Sequence, residues 1–341
     1  MGHQNFTELQ TTISPIKMQE KSFLSIEIFK ICIYFVTLVV GVIGNGLVIF
    51  VAGYKMKTTV NSIWFLNLAI ADFFFLSFLI LNIVDTFDKS TLNINTFILA
   101  CIFFDIALNM FASVFFLTVI SVDRCLCTWF IVWVQNKRTL VKARIISVFV
   151  WILSICCSIP FGINEYVLNN ENFINVYMSL FTYLFIVGFV IPFIIIASSY
   201  IAIGVRVKRL KTGNNFRPFR VIISVILAFF ICWFPYHVHK LCLISAYTYN
   251  WSDSARKKLY DAGPFVNCLI YLNSCLNPIL YVFMCDEYKK KLKKSLLLVF
   301  DGAFTEEHLG LRSTPLPHNQ GRRTGGKTST DYQGPKGREG P

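Results

Sequence analysis

Seven apolar blocks, most of them about 20 residues or longer, recur along the 341-residue chain, and their length decides what it can fold into. A helix needs roughly 20 residues to cross about 30 Å of hydrocarbon. Inside lipid the backbone must also satisfy its own N–H and C=O groups. The blocks are read at about 28–52, 61–84, 97–127, 145–163, 179–207, 218–246 and 262–284. The expected fold is an all-α membrane protein, a seven-transmembrane helix bundle. Only 15% of the residues are charged, against about a quarter in soluble domains, so the chain lacks the residues to cover a polar surface. Its 34 phenylalanines suit helices that face lipid.

The formal charge of +13 is distributed in a way that excludes nucleic acid as a partner. Lys and Arg gather in alternate connections: Lys55 and Lys57; Lys137, Arg138, Lys142 and Arg144; Arg206, Lys208, Arg209, Lys211, Arg217 and Arg220; and the run Lys289–Lys294. The other connections hold Asp85, Asp88 and Lys89, then Glu165 and Glu171, then Asp253, Arg256, Lys257, Lys258 and Asp261. The more basic set is expected to face the cytoplasm. Seven crossings then put the N-terminus outside, in the plasma membrane, and the C-terminus inside. Sequons at Asn5 and Asn250 both fall on the expected outer face, as glycosylation acceptors must. Residues 1–25 are polar, so the first block is expected to act as the insertion signal.

Four segments follow: an extracellular tail at 1–27, the bundle at 28–285, a membrane-surface helix at 286–300 and a disordered cytoplasmic tail at 301–341. In the third of these, Tyr288, Leu292, Leu296, Val299 and Phe300 recur at helical spacing among lysines, the pattern of an amphipathic helix on an anionic leaflet. Most of the eleven cysteines lie in apolar blocks and read as small buried side chains, with no metal spacing among them.

Polar groups inside membrane helices are expensive and point to function. Asn45 and Asp72 lie mid-block in the first and second blocks. Asp105, Asn109 and Ser113 share one face of the third, spaced by four, and Asp123-Arg124 closes its inner end. Asn267, Asn273, Ser274 and Asn277 line the seventh. Asp72, Asn109, Ser113, Asn273 and Asn277 can converge on a small cation or on water, or can form hydrogen bonds that only fix packing. Pro192, Pro235 and Pro278 interrupt three consecutive helices, as hinges or as static kinks.

These residues carry a resemblance. Gly44-Asn45, Leu68-Ala69-Ile70-Ala71-Asp72, Asp123-Arg124-Cys125, Trp151, Pro192 with Tyr200, Cys232-Trp233-Phe234-Pro235 and Asn277-Pro278-Ile279-Leu280-Tyr281 fall in order, one set per block. Together they resemble the motif set of rhodopsin-like G-protein-coupled receptors over about residues 28–300. The stretches Ser121–Cys125, Val132–Thr139, Phe230–His237 and Asn273–Phe283 are similar to chemoattractant receptors for formyl peptides, complement fragments and chemerin. The resemblance implies that Arg124 pairs with Asp123 at rest and meets the G protein or Tyr200 when active. It implies that Trp233, above Pro235, is the toggle beneath the ligand, and that Tyr200 and Tyr281 swing inward on activation around Asn277-Pro278. It makes the polar cluster a sodium site, with no other cofactor. The expected partners are an extracellular peptide or lipid ligand, a heterotrimeric G protein of the inhibitory class, arrestin and membrane lipids.

Two departures stand out. Leu99 occupies the place where the family carries a bridging cysteine, Cys101 lies two residues on, and the second outer loop at about 164–178 has none. No disulfide is expected, and binding is expected to be weaker or more permissive. The outer half of the fifth block also lacks arginine. The ligand candidates are instead Asp105, His237, His239, Lys240, Asn267 and Tyr271, with Lys240 either meeting an anionic group or reaching up to the interface. The alternative to a signalling receptor is a decoy or scavenger of the same fold. An enzyme is not expected, because the sequence holds no nucleophile–base pair, metal set or phosphate loop.

Overall fold

The computed structural model describes residues 28–87, 96–167, 173–210 and 217–284. The tail at 1–27, the surface helix at 286–300, the segment 301–341 and Asn5 lie outside them. The first helix runs Ile28–Lys55. The second is Val60–Phe87, the third Thr96–Trp129, the fourth Leu140–Val167, the sixth Arg217–Thr248 and the seventh Asp253–Met284. The fifth is assembled from Phe173–Phe185, a π turn at Ile186–Val190 and Ile191–Leu210. The first six are long and apolar enough to cross a membrane. The seventh mixes apolar residues with a charged outer end and four buried or half-buried polar side chains.

The helices outrun the apolar blocks, which corrects several connections: Asp85, Glu165, Arg206, Lys208, Arg209, Arg217 and Arg220 all lie within helices. Asp253, Arg256, Lys257, Lys258 and Asp261 belong to the first turns of the seventh helix rather than to an outer loop. Lys142 and Arg144 lie within the fourth helix. Hydropathy marks the stretch of helix that meets hydrocarbon, whereas the hydrogen-bonded ladder continues into the polar layer. The second inner connection also holds a short helix, Ile131–Lys137, that the apolar pattern does not signal.

The third helix is the hub: it packs against the second, fourth and fifth, while the seventh packs on the sixth and second. Its residues Met110, Phe111, Val114 and Phe116 are fully buried. Ile145, Phe149 and Ile231 are each more than 60% exposed, which in a spanning bundle means a face turned to lipid. Because apolar side chains gain little by leaving lipid for protein, close packing and polar stitches hold such helices together. Trp151 Nε1 donates to Asn67 Oδ1 at 2.9 Å, and Asn67 Nδ2 donates to Ser147 Oγ at 3.3 Å, tying the second helix to the fourth. In the fifth helix, Pro192 lacks the N–H of a regular ladder, and the π turn ends just before it with the Ile191 N–H bonded to the Ile186 carbonyl.

Gly41 sets the approach of the first helix. A Cβ there would overlap Leu76 and sit 2.9 Å from Cys275 Sγ. Gly41→Val is therefore expected to destabilise the bundle by the ~1–3 kcal/mol typical of overpacking. Gly53→Ala, where nothing lies within 4 Å, is expected to be neutral. Thermal unfolding of the purified protein compares the two.

Candidate functional site

The middle of the bundle is organised around one carboxylate. Asp72 is fully buried on the second helix. Ser274 Oγ donates to its Oδ1 at 2.6 Å, Asn109 Nδ2 to the same oxygen at 3.2 Å, and Asn277 Nδ2 to Oδ2 at 2.7 Å. Asn45 Nδ2 joins from the first helix, donating to the Ser274 carbonyl at 2.9 Å and the Gly41 carbonyl at 3.0 Å. Four helices thus meet on a charge that would be prohibitively costly alone in oil. Ser274 makes the shortest bond to the carboxylate, although its type and spacing marked it only as one of several polar residues on the seventh helix. Ser113 and Asn273 are also buried, but neither side chain has a hydrogen-bond partner among the described residues.

The cluster leaves oxygens over. Asn109 Oδ1, Asn277 Oδ1, Asn273 Oδ1 and Ser113 Oγ are buried without partners. An ionised carboxylate has about four acceptor positions, and three are taken. Neutral oxygens beside one carboxylate are the donor set that a hard cation prefers.

Above the cluster, Trp233 is fully buried within the sixth helix, which Pro235 interrupts. Its ring lies 5.9 Å from Phe229, 5.5 Å from Tyr236 and 6.4 Å from His237. Its Nε1 has no partner among the described residues, so ring packing is what holds the indole there. Pro278 sits within the seventh helix facing Gly44, where a Cβ would come 3.1 Å from the proline Cβ. Tyr281 lies on the same helix, with its side chain outside the described residues.

At the inner end, one carboxylate serves two guanidinium groups. Arg124 Nη2 contacts Asp123 Oδ2 at 2.7 Å. Arg138 grips the same side chain as a fork, with Nε at 2.7 Å from Oδ1 and Nη2 at 2.9 Å from Oδ2. Asn61 Oδ1, from the second helix, accepts from Arg138 Nη2 at 2.6 Å and also from Arg124 Nη2. Burial disfavours the Arg138 charge, but its bonds to Asp123 outweigh that and leave its pKa above the ordinary arginine value. The Arg124 Nε is buried without a partner among the described residues, and the Tyr200 hydroxyl is buried beside Ser121. Arg138 and Asn61 were not singled out from the sequence. Arg138 reads there as one more inner-loop cation, and only the fold brings it to Asp123, 15 residues away.

The outer candidates do not share one set of contacts. Lys240 Nζ lies 5.0 Å from the centre of the Phe181 ring, 5.3 Å from Tyr236 and 6.0 Å from Tyr177, whose hydroxyl is 3.3 Å away. No carboxylate pairs with it among the described residues. His237 is buried against Phe185 and Phe189 of the fifth helix. His239 Nε2 donates to the Leu259 carbonyl of the seventh helix at 2.8 Å. Tyr271 stacks on Phe75 at 4.9 Å and accepts a bond from Asn82 at 3.2 Å. Asn267 is half-buried on the seventh helix. Asp105 lines a cleft between the second, third and fourth helices and lies within electrostatic reach of Tyr271. Asn250 is exposed in the turn joining the sixth and seventh helices, with φ of 46°. All ten cysteines among the described residues, Cys101 included, are free thiols.

Comparison with known proteins places this geometry. Residues 44–281 match the family model of the 7 transmembrane receptor (rhodopsin family). The chain is 38% identical over 320 residues to the C3a anaphylatoxin chemotactic receptor of Danio rerio, covering 90% of this chain and 86% of that one. It is 34% identical over 305 residues to formyl peptide receptor 2 of Mus musculus, covering 82% and 86%. With N-formyl peptide receptor 3 of Pan troglodytes it shares 36% identity over 303 residues, again covering 82% and 86%.

Proposed function

Because the chain belongs to the rhodopsin family of seven-transmembrane receptors, and within it to the chemoattractant-receptor group, we propose that it binds an extracellular peptide or lipid ligand and activates a heterotrimeric G protein of the inhibitory class. Arrestin and membrane lipids are its further partners, and its N-terminus is outside. The observation that carries this reading is the inner clamp: Arg124 is held by Asp123 and Asn61 and makes no hydrogen bond to the Tyr200 hydroxyl. That is a latched arrangement, with Arg124 not yet on the group that would receive it.

Ligand binding in the outer half moves the sixth helix about Pro235 by way of Trp233, whose packing is reversible because its N–H has no anchor among the described residues. The inner end then opens, Arg124 leaves Asp123, and Tyr200 and Tyr281 turn toward the space it crossed. A ligand shifts this equilibrium only by its difference in affinity for the two states. An anionic ligand group has an ammonium to meet at Lys240, whose aromatic surroundings offer face contacts but no countercharge among the described residues. A sodium ion at Asp72, held also by Ser113 and the unpartnered amide oxygens of Asn109, Asn273 and Asn277, would supply positive charge that stabilises the latched state.

The test is a panel of formylated and complement-derived peptides and of lipids applied to cells expressing the receptor, reading cyclic AMP and arrestin recruitment. Arg124→Ala is expected to abolish the fall in cyclic AMP while preserving ligand binding at the surface. An unchanged response would refute the mechanism. A decoy is the second reading, favoured by the free Cys101 and a second outer loop without cysteine. It predicts ligand uptake with no cyclic AMP change in the wild-type receptor.

A further inference from the structure

The widest departure from a bland lipid-facing surface is the cleft that holds Asp105. It has a volume of about 550 Å³, within the range of small-molecule sites. Phe74, Phe78, Phe97, Phe104, Ile159 and Ile163 line it. Phe74, Phe97 and Ile163 are each more than half exposed, so in a bilayer the cleft opens sideways into hydrocarbon. Gly162 forms part of its wall, and a Cβ there would come 3.3 Å from Phe104 Cβ, so the glycine lets the third and fourth helices close behind the cavity.

Two polar residues line this apolar space, Asp105 and Asn109, and of these the Asp105 carboxyl is the acceptor open to an occupant. The Asp105 carboxyl has no hydrogen-bond or ion partner among the described residues. Asn109 is 2% exposed, and its Oδ1 is buried without a partner. Acyl chains filling the cleft would satisfy neither group, and an isolated carboxylate beside hydrocarbon is among the costliest groups a membrane protein can carry. An occupant with a positive charge and N–H donors satisfies the Asp105 carboxylate. We propose that this cleft is an intramembrane site for a cationic amphiphile: a single apolar chain or ring system that enters from the bilayer and carries one protonated amine to Asp105. Of the outer ligand candidates the site takes only Asp105, and none of the others lines it. Through the Asn109 amide, whose Nδ2 lies 3.2 Å from Asp72 Oδ1, it adjoins the central polar cluster.

A dodecylamine carrying a diazirine on its chain tests this on the full receptor in phosphatidylcholine nanodiscs, with cross-links mapped by mass spectrometry. Labelling is expected on the second, third and fourth helices around Phe74, Phe104 and Ile159. Excess dodecylamine is expected to compete at least tenfold better than dodecanol or dodecanoate. Asp105→Asn is expected to lose at least tenfold of the labelling. Cys101→Trp, which fills the cleft and keeps the carboxyl, is expected to abolish it while the rest of the bundle still binds lipid. Equal competition by the alcohol, labelling unchanged in Asp105→Asn, or labels scattered over the other helices would each overturn the proposal. The first two outcomes would mean that the cleft holds lipid chains without reading their headgroup.

Discussion

Asp123→Asn is expected to raise ligand-independent G-protein activity by about tenfold. Asp123 is the one negative charge between Arg124 and Arg138, and both guanidinium groups bond its Oδ2. Without that charge the two cations face each other with only neutral amide oxygens between them, that of Asn61 and that of the substituted side chain. Charges about 4 Å apart interact by roughly 4 kcal/mol at an effective dielectric of 20, and partial exposure to water reduces this. A residual of about 1.4 kcal/mol already shifts a two-state equilibrium tenfold. Arg124 is the mobile partner, because its Nε is unanchored while Arg138 holds by its fork. Arg138→Ala is expected to act in the opposite sense and lower basal activity, since Asp123 and Asn61 then serve Arg124 alone. The double variant Asp123→Asn/Arg138→Ala is expected to recover much of the quiet state, because the repulsion needs both guanidinium groups. Nucleotide exchange in membranes, normalised to surface receptor, reads all three. Activation by Arg138→Ala alone would show that the fork, rather than the charge of Asp123, keeps the latch.

This clamp marks where the sequence stopped being informative. Crossings are legible because hydrocarbon imposes a length and a composition, and six of the seven blocks reappear as helices that meet both criteria. Asp72, Asn109 and Asn277 are legible for the same reason: a carboxylate in oil must find donors, and few were available. Arg138 and Asn61 carry no such sign. They lie near the water boundary, where a charge or an amide costs little, so nothing local distinguishes them from solvated neighbours. The outer end fails differently. Asp105, His237, His239 and Lys240 are polar residues in apolar blocks, but a place in a block does not fix rotation about the helix axis. The fold turns Asp105 toward a cleft between the second, third and fourth helices, Lys240 toward the fifth helix and His239 toward the seventh.

Asp72→Ala is expected to be the most destabilising single change in the bundle, and Asp72→Asn a milder one with a different signature. Alanine leaves Ser274 Oγ, Asn109 Nδ2 and Asn277 Nδ2 buried without the acceptor they share. A buried donor without a partner costs about 1–3 kcal/mol. Three of them, even far from additive, outweigh the charge burial that is relieved, because the native carboxylate already has its donors. Asparagine keeps one carbonyl oxygen in place, so the Ser274 bond on the Oδ1 side can survive. What asparagine removes is the charge. A sodium ion gathered from the spare oxygens of Ser113, Asn109, Asn273 and Asn277 needs that charge, since neutral oxygens alone cannot offset the loss of its hydration shell. Purified wild-type receptor is therefore expected to melt at a higher temperature in sodium chloride than in choline chloride of equal ionic strength. Asp72→Asn is expected to melt at the same temperature in both salts. A sodium increment that survives Asp72→Asn would place the ion elsewhere. A wild-type receptor indifferent to the cation would reduce the cluster to a packing device, its leftover oxygens met by water. The comparison separates the two because sodium binding requires the Asp72 charge, whereas the hydrogen bonds that tie the second, third and seventh helices require only an acceptor.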